Sequence, residues 1–313
     1  MKKLLFILTY SEGQQFVTYY KPEVYNKYFK NDVQIVVLDN GNQGVVREWS
    51  SRVGALYFAT ENNLGTTGGY NFFIRLGEMF NATRIAVMQA DVLIHDSITI
   101  DLLFNKQDGS EWSKNDFVYW PQLSSSAWHN GIDPDVGQFF SLDPIYFLEN
   151  DFLCDENYTV THFESIDLYM RITDKNGPHT AKINNLMYMY YPGMSPNRIP
   201  TENTNGLLYT ICGFSDNAGE LDKWFLYNFN YFKDKWSPTT DISAEDAFEL
   251  FKQGHNFWGI RPWDSENWHI LHLNKRYLKT QRNTDIGQLP YPVEWEINRF
   301  YKEHTLFLQR FNT

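Results

Sequence analysis

The residues from 61 to 71 read Glu61-Asn62-Asn63-Leu64-Gly65-Thr66-Thr67-Gly68-Gly69-Tyr70-Asn71, and Asp91 follows at the end of an apolar strand. Gly65, Gly68 and Gly69 would let backbone approach a ligand closely, and the N-terminus of the helix they open favours anions. A carboxylate at a strand tip can hold Mn2+ or Mg2+ against phosphate oxygens. These residue types suit a phosphate-bearing ligand. A second pair, Glu164 and Asp167, shares one face of a helix at i,i+3 spacing, and a positioned carboxylate can take the proton of a hydroxyl. Each residue also has a plainer role. Thr161-His162-Phe163-Glu164 is a capping box, Asp167 stands four before Arg171, Asp39-Asn40-Gly41 is a turn sequence, and Asp96 or Ser97 can cap a helix near His95.

The surrounding elements place these residues. Leu4–Thr9, Val33–Leu38, Ala55–Ala59 and Ile85–Gln89 read as strands, with helices over Pro22–Phe29, Val45–Val53 and Gly68–Phe80. This β-α-β-α-β order predicts an α/β fold: a mostly parallel, Rossmann-like sheet flanked by helices. Ligands of such sheets bind outside the carboxyl ends of the strands, where Thr9, Tyr10, Asp39, Glu61, Asn62 and Asp91 all fall. Further on, Ser97–Phe104, Pro144–Asn150 and Glu164–Lys175 read as helices, and Phe117–Trp120, Gln138–Leu142 and Lys182–Tyr191 as strands. Residues 192–205 hold three prolines and a glycine and mark the expected boundary between residues 1–195 and an aromatic-rich, largely helical region 196–313.

Composition narrows the classes. The chain has 313 residues, a formal net charge of −11 and 42% hydrophobic residues, which fits a globular protein and opposes a broad electrostatic grip on nucleic acid or anionic lipid. Cys154 and Cys212 imply no disulfide framework, and neither a zinc spacing nor a Gly-x-Ser-x-Gly elbow occurs. The N-terminal Met1-Lys2-Lys3-Leu4-Leu5-Phe6-Ile7-Leu8 reads as a buried strand rather than a signal peptide, and no apolar run is long enough to span a bilayer. A cytoplasmic location, in a bacterial or virus-infected cell, is the expectation.

The first 195 residues resemble a family 2 glycosyltransferase of the GT-A fold, over roughly residues 3–195. Thr9-Tyr10-Ser11 resembles that family's first strand end, and Leu38-Asp39-Asn40-Gly41-Asn42 its nucleoside-holding turn. Asn63 to Asn71 matches the Asn-x-Gly-x-x-Gly-Gly-x-Asn segment of the rhamnosyl- and galactofuranosyltransferase branch. Gln89-Ala90-Asp91 stands at the metal-binding position, and Phe163-Glu164-Ser165-Ile166-Asp167-Leu168-Tyr169-Met170-Arg171 resembles the acceptor-side Phe-Glu-Asp-x-Asp-Leu-x-x-Arg. The resemblance implies a metal-assisted, inverting transfer from a nucleoside-diphosphate sugar, with UDP as the first choice. It assigns donor contacts to Thr9, Tyr10, Asp39, Asn63, Gly65, Gly68, Gly69 and Asn71, the cation to Asp91, and the base to Glu164 or Asp167. Two departures stand out. Ser165 replaces the second acid of the pair, and Tyr190-Tyr191-Pro192-Gly193-Met194-Ser195 lacks the histidine of a His-x-x-Gly-x-Ser segment.

The acceptor stays open among a glycan, a lipid-linked hydroxyl and a modified DNA base. Leu271–Arg282 carries Lys275, Arg276, Lys279 and Arg282 with no acid, which is either a solvated face or a contact for a phosphate-bearing acceptor, as in viral DNA-base glycosyltransferases. Trp224, Trp236, Trp258, Trp263, Trp268 and Trp295 are either core or a stacking groove. With Ser165 and Tyr190, they also leave a third class open: an inactive relative that binds glycans.

Overall fold

The computed structural model describes residues 3–10, 13–29, 32–60, 64–90, 92–94, 97–119, 139–158, 163–174, 179–182, 188–190, 226–232, 235, 243 and 245–246. The strands are β1 Lys3–Thr9, β2 Val33–Asp39, β3 Leu56–Ala59, β4 Arg84–Gln89, β5 Val92–Ile94, β6 Asp116–Tyr119, β7 Phe139–Leu142, β8 His179–Lys182 and β9 Tyr188–Tyr190. The helices are α1 Gly13–Tyr19, α2 Tyr25–Tyr28 (after a 3-10 turn at Pro22–Val24), α3 Gly44–Val53, α4 Gly65–Met79, α5 Ser97–Phe104, α6 Pro144–Glu149 and α7 Glu164–Asp174.

The main sheet has seven strands in the order β3-β2-β1-β4-β7-β6-β8. Pairs β1–β2, β1–β4, β2–β3 and β6–β8 are parallel, whereas β7 runs against both of its neighbours. The sheet is therefore mostly parallel with helices on its faces, the α/β architecture expected. In the central strand β1, side chains alternate between two cores. Leu4, Phe6 and Leu8 meet Phe73 and other α4 residues, and Leu5 and Ile7 meet Phe16, Tyr20 and Trp49 from α1, α3 and the residue after α1. A strand covered on both faces is apolar through its centre, which is why β1 from Leu4 to Leu8 and β2 from Ile35 to Leu38 read as unbroken hydrophobic runs.

Local signals set the helix ends. Gly54 ends α3 at φ 72, the left-handed conformation a helix stop favours. Asp143 caps α6 by accepting from the Tyr146 amide, with Pro144 in the first turn. Burial pushes the Arg84 guanidinium down to about 10, so it stays cationic at neutral pH, and it bonds Ser141 together with the carbonyls of Ser113 and Asp116.

Three readings of the sequence are corrected. The Lys182–Tyr191 strand is two strands in different sheets: β8 joins β6, and β9 pairs antiparallel with β5. The glycine stretch is not a loop ahead of a helix from Gly68, because α4 already begins at Gly65. Helix α1 is additional: its Gly-Gln-Gln-Phe-Val-Thr-Tyr sequence is a poor helix former, held by the tertiary contact of Phe16 with Trp49 beside the local Phe16–Tyr20 contact. Of the 196–313 region, the stretch 226–232 is helical, and most of the rest lies outside the described residues.

Glycines allow two close approaches of α4. A Cβ on Gly77 would lie 2.7 Å from Ile85 Cγ2 and 3.0 Å from the Pro144 ring, whereas one on Gly69 would meet only the ends of Leu8, at 2.9 and 3.0 Å. Gly77→Ala gains about 1 kcal/mol of helix propensity but overpacks a rigid junction at a cost of about 1–3 kcal/mol. Urea denaturation should therefore show Gly77→Ala lowering the midpoint, and lowering it more than Gly69→Ala does; a raised midpoint for Gly77→Ala would refute this packing.

Candidate functional site

The chain runs from β1 outward through β2 to β3, then crosses back to β4 on the other side of β1. The β1/β4 boundary is thus the topological switch point, where the carboxyl ends of an open sheet leave a crevice. Thr9 closes β1 there. It is fully buried, and its Oγ1 has no hydrogen-bond partner among the described residues. Next to it, the Tyr10 carbonyl accepts a short hydrogen bond from Gln43 Nε2. A Cβ on Gly41 would collide with that same carbonyl, so only glycine fits the turn after β2.

Asp39 ends β2 opposite Thr9. Its side chain is buried: Oδ1 accepts from the Gly41 amide at 3.0 Å, and Oδ2 from the Gln43 amide at 2.5 Å and the Tyr57 hydroxyl at 2.8 Å. The carboxylate thus shapes the turn, as its sequence suggests, and holds the Tyr57 hydroxyl of β3. Burial, reinforced by Asp39, pushes Tyr57 up to about 12, and the Arg47 guanidinium lies 5.4 Å from its ring centre.

Asn40 is the residue that sequence reasoning missed. Its amide donates to the Thr9 carbonyl at 2.8 Å, and its Nδ2 to the Gly65 carbonyl at 3.3 Å. Its Oδ1 accepts from Thr60 Oγ1 at 3.2 Å and the Leu64 amide at 3.5 Å. One residue therefore joins the ends of β1 and β2, through its backbone amide, to the segment after β3 and the start of α4, through its side chain. The only available signal was an asparagine inside a turn at a strand tip.

The glycine helix behaves differently from the expected loop. Gly65 alone of its four glycines has positive φ, at 67. Gly68 and Gly69 are buried within α4, and Gly69 packs against Leu8. Asn71 turns toward the 154–156 loop: its Nδ2 donates to the Cys154 carbonyl at 2.9 Å and Glu156 Oε1 at 3.0 Å, and its Oδ1 accepts from the Cys154 amide at 2.7 Å. At the end of β4, Gln89 Nε2 donates to the Tyr70 hydroxyl at 2.7 Å, fastening that strand tip to α4. Asn63, Asp91, Glu61, Asn62, His95 and Asp96 lie outside the described residues. Among the described residues no group of three or more His, Cys, Asp and Glu side chains could hold a metal.

Glu164 is the first residue of α7 and is buried, and the first helical bond runs from the Asp167 amide to the Phe163 carbonyl at 2.9 Å. Glu164 therefore occupies the first helical position, not the third position a capping box needs; Thr161 lies outside the described residues. Just before it, Phe163 adopts φ 71, a conformation that costs a bulky residue strain and tends to occur at functional sites. Its ring packs on Phe229 and Phe232.

Asp167 is fully buried and pairs with two cations, Arg171 Nε and Lys235 Nζ, each at 2.7 Å. The Tyr158 hydroxyl donates to it at 3.2 Å. Asp155 completes the cluster, accepting from Lys235 Nζ and the Tyr231 hydroxyl, each at 2.7 Å. Thr67 Oγ1 of α4 donates to the Tyr158 carbonyl at 3.2 Å, so the glycine helix and the acid-bearing helix meet through Tyr158. Thr9, Tyr10, Asp39 and Gly65 are thus joined at one strand edge, while Glu164 and Asp167 belong to a second group linked to it through α4.

No protein-family model matches the chain, and no curated protein matches it. Among solved structures, TarS residues 1–349 of S. aureus in complex with UDP is 12% identical with a TM-score of 0.45, covering 84% of this chain and 81% of that one. Mannosyltransferase PcManGT from Pyrobaculum calidifontis, in complex with GDP-Man and Mn2+, is 12% identical with a TM-score of 0.46, covering 86% of this chain and 85% of that one. Glucosyl-3-phosphoglycerate synthase from Mycobacterium tuberculosis is 12% identical with a TM-score of 0.44, covering 69% and 81%.

Three phenols of the site are held neutral by the fold. Burial, then Asp39, raises Tyr57 to about 12; burial, then Asp167 and Asp155, raises Tyr158 well above its usual value; burial, then Asp155, raises Tyr231 strongly. In the unfolded chain tyrosine ionises near pH ~10. Above that pH the unfolded state therefore binds fewer protons than the folded one, and stability falls as pH rises. The melting temperature should decline from about pH 10 upward, and Tyr57→Phe should soften the decline. An unchanged alkaline slope in that variant would contradict the assignment.

Proposed function

We propose that the chain is a glycosyltransferase that moves a sugar from a nucleoside-diphosphate sugar, UDP-linked in the first instance, to a hydroxyl acceptor with inversion. The observation that carries this reading is the convergence at the switch point. Thr9, Asp39, Asn40 and Gly65 are bonded into one polar edge, while Glu164 heads a helix tied to the same glycine helix. The structural neighbours described above are glycosyltransferases; at their distance the reading rests on this chain's own residues.

In this reading the donor nucleotide lies along the carboxyl edge. Thr9 Oγ1 offers it a buried hydroxyl with hydrogen-bonding capacity to spare, and Asp39 with Tyr57 lines the nucleoside side. A divalent cation at Asp91 would offset the charge of the departing diphosphate, since one carboxylate and phosphate oxygens suffice for a hard cation. Glu164 takes the proton of the acceptor hydroxyl as its oxygen attacks the anomeric carbon, and the bond from that carbon to the diphosphate oxygen breaks with its electron pair leaving on the nucleotide. Asp167, neutralised by Arg171 and Lys235, supports that helix rather than accepting the proton.

Removing a general base costs about 10²–10⁴ in rate. Glu164→Gln should lower the release of nucleoside diphosphate from UDP-glucose or UDP-N-acetylglucosamine by that order, while UDP still raises the melting temperature. Asp91→Ala should abolish Mn2+-dependent hydrolysis without moving the ligand-free melting temperature. Unchanged turnover in either variant would remove the corresponding role.

A further inference from the structure

Lys235 is a lysine with almost no exposure, far in sequence from both acids it touches. Its ammonium sits 2.7 Å from Asp155 Oδ2 and 2.7 Å from Asp167 Oδ1. The Tyr158 and Tyr231 rings lie 5.5 and 5.8 Å away. Removing long charged groups from water is costly unless charges balance and hydrogen bonds are filled. Among the described ion pairs of this cluster, Asp155 and Asp167 face Lys235 and Arg171, two negative against two positive. Arg171 also donates to the Leu153 carbonyl at 2.7 Å, and Asp155 accepts from Asn157. The cluster joins three segments: the 151–158 loop, α7 and the helical residues 226–232 and 235.

A second observation comes from the same contact. Phe163, strained at φ 71, is wedged against Phe229 and Phe232, on the same stretch as Tyr231 and a few residues ahead of Lys235. Strain of this kind persists only where neighbours over-determine it. The ring contact holds the residue before Glu164, and the ammonium holds Asp167 one turn later on α7.

We propose that Lys235 is a positioning residue for the transfer reaction. It balances Asp155 and Asp167 and so fixes the first turn of α7, and with it the direction of the Glu164 carboxylate. This rests on the glycosyltransferase reading. Lys235 does not touch the reacting atoms; it acts through Asp167.

The test compares wild type, Lys235→Met, Lys235→Arg and the double variant Asp155→Asn/Lys235→Met. The probes are UDP-glucose and UDP-N-acetylglucosamine hydrolysis with Mn2+, and the melting-temperature shift given by UDP alone. Lys235→Met removes one buried positive charge, whereas the double variant also removes one negative charge and so keeps the wild-type balance. Lys235→Met should keep the UDP shift and the donor KM within threefold, while kcat at pH 8 falls at least tenfold. Lys235→Arg and the double variant should recover kcat to within threefold of wild type.

A Lys235→Met kcat within threefold of wild type overturns the proposal. So does a double variant that binds UDP yet turns over no faster than Lys235→Met. If Lys235→Met does not fold, the double variant decides alone: folded, UDP-binding protein with less than a tenth of wild-type kcat sinks the inference. Wild-type protein that releases no UDP from either donor refutes the glycosyltransferase reading instead, before any variant is compared.

Discussion

Burial of the central strand is the constraint from which the rest follows. β1 is apolar along its length because cores press on both its faces and strands flank both its edges. Polar groups can then appear only at its two ends, Lys3 and Thr9, and the switch at the β1/β4 boundary opens a crevice at the carboxyl end. Thr9, Asp39 and Asn40 collect there because a polar side chain at a strand end can be satisfied by turns, helix ends or a ligand. The close approach of Gly41 to the Tyr10 carbonyl tightens the same corner.

A second constraint acts on the acid-bearing helix. Asp155, Asp167, Arg171 and Lys235 are all nearly excluded from water. Such a cluster contributes little net stability over an apolar core of equal volume, but it is costly to unbalance. Its consequence is geometric: the 151–158 loop, α7 and the segment around Lys235 must stay in register or leave a charge unpaired. Glu164 inherits that register, one turn before Asp167.

The sequence made the strands legible because buried parallel strands are continuous apolar runs, as at Ile35–Leu38 and Ile85–Met88. The polar residues at their tips were legible for the same reason. Helix α1 was hidden, since its order comes from Phe16 packing on Tyr20 and Trp49 rather than from helix-forming residues. Asn40 was visible only as a turn residue, because its partners come from the ends of other strands and from α4. Lys235 could not be read at all: its partner Asp155 is 80 positions away, and no spacing rule connects them. The glycine segment was recognised, yet Gly69 serves helix-to-strand packing and Asn71 fastens a loop, roles that depend on where Leu8 and Cys154 lie. The expected roles of Asn63 and Asp91 fall outside the described residues.

The central claim is that the carboxyl edge around Thr9, Asp39 and Gly65 receives a nucleoside diphosphate. The most direct test is the melting temperature of the purified chain with UDP, GDP, ADP and TDP, each with and without Mn2+. A ligand at one hundred times its Kd stabilises the fold by about 2.7 kcal/mol. One nucleotide, UDP first, should raise the melting temperature by several degrees, and more so with Mn2+. No shift from any of the four at millimolar concentration, with the metal present, would contradict the account.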